Sequence, residues 1–176
     1  GEAIVGWIRG GLGMATILGC FFFAGTSGSS SADTITIGRI MVPAMKKRGY
    51  QASYAASLAA SGGILGVIVP PSLIFIIYGV ATSTSIGDLF LGGIFPGLIL
   101  AIAMCTANYF VCKHTDWGVP ESGAFSLKEV GASLWHAKFG LGAPVIILGG
   151  IYSGVFTPTE AASVAVAYVT IVELLI

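Results

Sequence analysis

The stretch Ala52–Val80 reads ASYAASLAASGGILGVIVPPSLIFIIYGV, and the fold turns on it. It carries no charged residue, and at about 1.5 Å of rise per residue it is long enough to cross the roughly 30 Å hydrocarbon core of a bilayer. Yet Pro70 and Pro71 stand inside it. Two backbone donors are missing there, and the residue before each proline is pushed out of helical geometry. Residues 51–81 are therefore expected to form a discontinuous transmembrane helix, its first half made locally bendable by Ser61, Gly62 and Gly63. Carbonyls around Gly66 to Val69 lose their helical partners, and N–H groups after Pro71 face the gap. Gly62, Gly66, Val69 and Pro70 are candidate ligands for Na+, and Ser72 is a candidate donor to an anionic substrate. Many secondary transporters build their sites from helices broken near the midplane. A plain kink accommodated by neighbouring helices is the alternative.

Composition agrees with lipid as the solvent. The chain is 55% hydrophobic and only 9% charged, with a mean hydropathy of +0.92, whereas a soluble domain carries charge near a quarter of its length. Its 26 glycines suit helices that pack backbone to backbone in a membrane. A net charge of zero gives no hint of a nucleic-acid partner. Cys20, Cys105 and Cys112 are odd in number and lie in or beside apolar stretches, so they read as small buried hydrophobes and not as a disulfide framework. Gly1–Gly6 lacks the basic start and cleavage pattern of a signal peptide. The chain begins without a methionine and stops at Leu174–Ile176 inside an apolar helix, which leads us to expect a fragment of a longer polypeptide.

Upstream of the broken stretch, the apolar Gly10–Ala24 ends in the polar run GTSGSSSAD, residues 25–33. A second apolar limb, Thr34–Met45, follows and leads to Lys46, Lys47 and Arg48. That limb reaches only about 20 Å, short for a crossing. Residues 1–50 are therefore expected to form a re-entrant helical hairpin with the serine-rich run at its tip. Downstream, Ile86–Val111 is a nearly continuous apolar run, with a kink at Pro96, giving a transmembrane helix over 86–113. The polar loop His114–Ala124 and a short amphipathic piece, Ser126–Ala137, make up a cytoplasmic loop, 114–138. Phe139–Phe156 and Thr159–Ile176 are two further spans within 139–176, joined at Thr157 and Pro158, an N-cap and a first helical residue.

Charge placement orients these elements. If the hairpin enters and leaves on one side, Arg9, Lys46, Lys47 and Arg48 share a face, two crossings bring Lys113 back to it, and the following loop adds Lys128 and Lys138. The positive-inside rule makes that face cytoplasmic. The connection Thr82–Asp88, without Lys or Arg, then falls outside. A single full crossing through Gly10–Met45 would split the basic clusters between sides.

The densest polar group is the tip itself. Non-helical backbone at membrane depth is tolerated only where it is buried in protein or lines a wet cavity. The first limb's last carbonyls and the serine hydroxyls offer ligands to Na+, making Gly28, Ser29, Ser30, Ser31 and Asp33 candidates. The second limb's free N–H groups favour an anion, which makes Ser27 a substrate candidate beside Ser72. A flexible aqueous turn between two ordinary spans is the bland reading of the same residues. Asp33 is costly against lipid and reads either as an ion ligand or as a cap of the second limb. Arg39 either snorkels or pairs with a carboxylate, or binds substrate through its guanidinium fork. Asp88 and Glu160 read as helix caps. His114 and His136 have no partners at metal-ligand spacing, and no nucleophile–base constellation marks an enzyme.

The motifs SGSSSAD (27–33), IMVPAMKKRGY (40–50), GILGVIVPPS (63–72), Tyr78–Gly79 and GIYSGVFTPTEAA (150–162) together resemble the large membrane subunit of tripartite ATP-independent periplasmic (TRAP) transporters. The resemblance covers nearly the whole chain. It implies an all-α polytopic protein of the bacterial inner membrane, an elevator-type, Na+-driven importer of organic anions such as C4-dicarboxylates, sialic acid or other carboxylates. It implies two partners, a small membrane subunit, separate or fused, and a periplasmic substrate-binding protein, and no cofactor besides Na+. It further implies two inverted repeats, each with a re-entrant hairpin and a proline-broken helix. The second hairpin and second Pro-Pro break would lie beyond Ile176, and 139–176 would hold the opening helices of the second repeat. Ser153–Val155 resembles the first tip only superficially. The serine-rich tip leans toward a polyhydroxylated sugar acid, although hydroxyls suit Na+ equally. The competing function is a channel or a non-transporting membrane scaffold.

Overall fold

The computed structural model describes residues 8–115, 117–118, 131 and 138–175. The amphipathic piece expected at Ser126–Ala137, with Lys128 and His136, lies outside the described residues except for Gly131, as does the start, Gly1–Gly6. Every regular element among the described residues is a helix: α1 (Gly11–Ser27), α2 (Ser30–Lys47), α3 (Ala52–Gly63), α4 (Leu65–Ile68), α5 (Leu73–Thr82), α6 (Ile86–Thr115), α7 (Lys138–Tyr152) and α8 (Pro158–Leu175). Ala52–Thr82, taken through its break, and Ile86–Thr115 are long and apolar enough to cross a membrane.

The turn between α1 and α2 is tighter than the sequence suggests. Gly28, at φ 59°, closes α1 in the left-handed conformation that glycine adopts without penalty. Ser29 is the N-cap of α2, so Ser30, Ser31 and Asp33 belong to its first turn and not to a loop. Short polar and acidic side chains suit the free N–H groups of a helix start as well as they suit a loop, and the composition of the run could not separate the two. The non-helical tip shrinks to Gly28 and Ser29. α2 then continues through Pro43 for 18 residues, about 27 Å rather than 20 Å. α6 similarly runs on through Pro96.

Glycines set the packing. α2 folds back along α1, with a methyl on Gly19 falling 3.8 Å from Ile37. α3 folds back along α2, where a methyl on Gly38 would sit 3.4 Å from the Ala59 methyl. Further along, Gly63 lies against Thr34 and the Ser30 carbonyl, and Gly66 against Asp33. Gly62 meets Cys20 of α1, so the three helices close around a core that includes Ile17, Cys20, Ala55 and Leu65. α6 lies over this bundle and its break, with Gly93 against the Ile68 carbonyl and Phe75, and Gly97 against Val69. α7 and α8 pair through Gly142 and Tyr168, and α7 meets α1 where Pro144 covers Gly25. Thr157 and Glu160 form a reciprocal capping box at the start of α8, the Glu160 carboxylate accepting from the Thr157 N–H at 2.8 Å and the Thr157 hydroxyl from the Glu160 N–H at 3.3 Å.

Large apolar side chains also face outward. Ile74, Ile77 and Val80 of α5 and Phe95 and Ile99 of α6 are exposed, an arrangement that calls for lipid or further protein around it. The ends of four helices meet at a single basic pole. Gly10 N–H donates to the Gly118 carbonyl at 3.0 Å and the Arg9 guanidinium to the Lys113 carbonyl at 3.4 Å. Lys46, Lys47 and Arg48 close α2 beside Tyr50, which packs on Gly118.

Candidate ion and substrate site

The broken helix and the hairpin tip meet. After α4 the chain leaves helical geometry at Val69, passes through Pro70 and Pro71, and restarts at Ser72, the extended N-cap of α5. The Leu73 N–H, the first free donor of α5, is taken by the Gly28 carbonyl at 3.3 Å. The hairpin tip thus caps the restarted helix across the gap. A side chain at Gly28 would meet the Pro71 carbonyl at 2.8 Å, so two backbones touch where only glycine leaves room.

Asp33 sits behind this contact, fully buried at 0% exposure. The Ser27 hydroxyl donates to its Oδ1, and the Ser29 N–H donates to the Ser27 oxygen at 3.2 Å. The other carboxylate oxygen, Oδ2, is buried without any hydrogen-bond partner and faces Gly66 of α4. No side chain caps α2, so Asp33 caps nothing. An uncompensated buried carboxylate oxygen is among the most costly groups a fold can hold, and here it points at the very element whose carbonyls the helix break releases. Among the described residues, no group of three or more His, Cys, Asp or Glu clusters as in a transition-metal site. A carboxylate beside the Ser27 hydroxyl and the backbone of Ser29 and Gly66 offers hard oxygen donors.

The remaining candidates divide by distance from Asp33. Gly66 lies directly on it, and Ser29 and Ser30 border the glycines of the facing helix. Ser31 is exposed on the first turn of α2. Pro70 is fully buried, with its carbonyl 3.9 Å from a methyl placed on Gly25. Val69 packs on Gly97, and Gly62 on Cys20, one turn before Gly66. Ser72 is buried at 0% exposure, and its hydroxyl donates to the Val67 carbonyl at 2.5 Å, satisfying an acceptor released by the break. Arg39 is not brought to the tip. It is exposed in the middle of α2, about 9 Å along the axis from Asp33 and about a third of a turn around it.

Sequence reasoning missed a second polar cluster, at the basic pole. Asn108 of α6 is 1% exposed. Its Nδ2 donates to the Gly10 carbonyl at 2.9 Å, and its Oδ1 accepts from the Tyr54 hydroxyl at 3.1 Å. Tyr50 stacks on Tyr54, with ring centroids 6.4 Å apart, and accepts the Gly13 N–H at 3.4 Å. Burial pushes its phenol above the ordinary range, so the hydroxyl stays neutral. The available signal was a lone amide in the apolar span Ile86–Val111.

Helices long and apolar enough to cross a membrane, one of them broken beside a buried carboxylate, define the class: a helical membrane protein. The chain belongs to the DctM component family of tripartite ATP-independent periplasmic transporters, whose family model matches residues 2–176. It is similar to the C4-dicarboxylate TRAP transporter large permease protein DctM of Pseudomonas aeruginosa, 44% identical over 175 residues, covering 99% of this chain and 40% of the relative. It is similar to the sialic acid TRAP transporter large permease protein SiaM of Vibrio cholerae, 43% identical over 168 residues, 95% of this chain and 39% of the relative. The isethionate TRAP transporter permease protein DctMQ of Oleidesulfovibrio alaskensis is 44% identical over 167 residues, 95% of this chain and 26% of that relative. The chain thus spans well under half the length of these relatives.

Proposed function

We propose that this chain, holding the first repeat's hairpin and broken helix and the opening helices of the second, is part of a multi-pass inner-membrane permease that imports an organic carboxylate, a C4-dicarboxylate or sialic acid, by Na+ symport with an elevator motion. A periplasmic substrate-binding protein delivers the substrate, and a small membrane subunit, separate or fused, completes the membrane part. The observation that carries this reading is the unpartnered Asp33 Oδ2, buried where the hairpin tip meets the helix break. Na+ supplies the missing partner there, with Gly28, Ser29, Ser30, Ser31 and the carbonyls of Gly62, Gly66, Val69 and Pro70 as the pool from which the other oxygens come.

Limb length no longer argues for a re-entrant hairpin, since α2 is about 27 Å long. The position of the tip does. It lies about 25 Å from the start of α3, with the 10 residues of α5, about 15 Å, continuing beyond it. A turn at that depth is inside a bilayer whenever Ala52–Thr82 crosses one. The substrate carboxylate then meets neutral donors and helix N-termini at the tip, with Ser27 and Ser72, each turning its hydroxyl from its present acceptor, as the candidates and Arg39 as the rival cation. Because the Ser27 and Ser72 hydroxyls are engaged on Asp33 and Val67, the serine content of the tip favours no sugar acid over a dicarboxylate.

The test is uptake of radiolabelled C4-dicarboxylate and sialic acid into proteoliposomes holding the intact permease, its small subunit and the binding protein. An inward Na+ gradient is expected to drive accumulation, and Asp33→Ala to remove the Na+ dependence in protein that still inserts. Flux down the substrate gradient that ignores Na+ in the unaltered protein would favour the channel instead.

A further inference from the structure

We infer that the Ser27 hydroxyl is a switch that makes carboxylate binding at the hairpin tip wait for the cation. The inference rests on the proposed reading of the site and assigns the coupling between its two ligands to one side chain.

The count of hydrogens decides it. A serine hydroxyl has one hydrogen to give and two lone pairs to offer, whereas an ionised carboxylate only accepts. The single Ser27 hydrogen therefore goes to Asp33 Oδ1, and one of its lone pairs takes the Ser29 N–H at 3.2 Å. Without a cation Ser27 has nothing left to donate. A substrate carboxylate at the tip meets an occupied hydroxyl and, behind it, a carboxylate with one oxygen uncompensated, a like charge that repels it. Ser72 is engaged as well, but on the Val67 backbone carbonyl at 2.5 Å, a neutral acceptor outside the proposed ion ligands. Of the two serines, Ser27 alone ties a substrate donor to the charge that Na+ neutralises.

A cation on Asp33 reverses this. It cancels the repulsion, takes over the carboxylate from the hydroxyl, and weakens a hydrogen bond whose strength came from the charge of its acceptor. The second Ser27 lone pair is open to the ion, and the hydroxyl hydrogen is repelled by it. Rotation about one side-chain bond redirects that hydrogen. The Ser29 carbonyl, 3.5 Å from the hydroxyl, marks a second direction for it, and Ser27 is only half-buried. The backbone need not move, because the Gly28 carbonyl keeps the Leu73 N–H at 3.3 Å. Cation first and carboxylate second is the order that follows, and each ligand tightens the other by the same factor.

Isothermal titration of Na+ into the intact permease, without acid and with saturating succinate or N-acetylneuraminate, measures that factor. In the unaltered protein one of the two acids is expected to tighten Na+ binding about fiftyfold, within the usual range of coupling between sites. In Ser27→Ala the factor is expected to fall about tenfold, the worth of one hydrogen bond to a charged group. Ser27→Thr, which keeps the hydroxyl, is expected to retain the factor to within about threefold of the unaltered protein, well inside the loss of one such bond. A merely structural role for Ser27 would shift Na+ affinity equally with and without acid and leave the factor as it was. An unchanged factor in Ser27→Ala therefore overturns the switch while the Na+ site itself stands. So does Na+ binding to the unaltered protein that neither acid alters. Absence of any Na+ binding removes both the switch and the reading beneath it.

Discussion

Two buried polar clusters sit at opposite ends of the same bundle, and they differ in one respect. Around Asn108 both polar atoms of the amide are hydrogen-bonded: Nδ2 donates to the Gly10 carbonyl, and Oδ1 accepts from the Tyr54 hydroxyl. Around Asp33 one oxygen is left alone. A satisfied cluster fixes the relative positions of the elements that share it. A cluster with an unpartnered charged acceptor carries a desolvation cost that a bound cation would offset. The Asn108 cluster therefore anchors the helix ends at the basic pole, and the Asp33 cluster is where a bound cation, on the proposed reading, would change the energy of the fold.

Separating the two by substitution is the way to break this comparison. The largest effect is expected from Asp33→Asn, which removes the buried charge: Na+ should no longer raise the melting temperature of the purified permease. A bound ligand at 100 times its Kd contributes about 2.7 kcal/mol, so the lost shift is readily measured by differential scanning fluorimetry across Na+ concentrations. In Na+-free buffer the same variant should melt higher than the unaltered protein. Asn108→Leu should do the reverse. It strands the Tyr54 hydroxyl and removes one of the two donors on the Gly10 carbonyl, which keeps the Met14 N–H, costing about 1–3 kcal/mol for the stranded hydroxyl, while the midpoint of Na+ stabilisation stays put. A drop in Na+ affinity equal to that of Asp33→Asn would dissolve the distinction between anchor and site.

Smaller effects sharpen the site itself. Gly66→Ala places a methyl against the Asp33 carboxylate and within 3.0 Å of the Ser29 backbone. Overpacking of this kind costs about 1–3 kcal/mol, and Na+ affinity measured by isothermal titration calorimetry should fall with it. Gly92→Ala, on α6 with no neighbour within 4 Å, should change stability by less than about 1 kcal/mol. For the substrate, Ser27→Ala and Arg39→Gln distinguish the two carboxylate sites: a loss of about tenfold in apparent affinity for the serine variant, with transport by the arginine variant unchanged, keeps recognition at the tip. Abolished uptake in Arg39→Gln with normal uptake in Ser27→Ala moves recognition to the exposed face of α2.

The helix break was legible because proline acts locally: Pro70 and Pro71 lack donors whatever surrounds them. Gly28 was legible as part of the tip for a similar reason. The extent of the tip was not, because Ser30, Ser31 and Asp33 are equally at home in a loop and in the first turn of a helix, and only tertiary contact with Gly63 and Gly66 decides. The role of Asp33 is a long-range fact of the same kind. Its partner Ser27 is close in sequence, but the lack of a hydrogen-bond donor at Oδ2 depends on α4 arriving with a glycine. Asn108 went unnoticed because a single amide in an apolar run carries no pattern; its meaning comes from Gly10, 98 positions away. Arg39 read as a site candidate because charge inside an apolar limb is conspicuous, whereas the face it occupies depends on the register of α2.

The most direct measurement is Na+ binding to the purified intact permease, with substrate absent, by isothermal titration calorimetry on the unaltered protein and on Asp33→Asn. Saturable binding that weakens at least tenfold in the variant, with the variant still folded and monodisperse, is the result expected if Asp33 Oδ2 holds the ion. Equal Na+ affinity in the two proteins would contradict it and return Asp33 to a structural role at the start of α2.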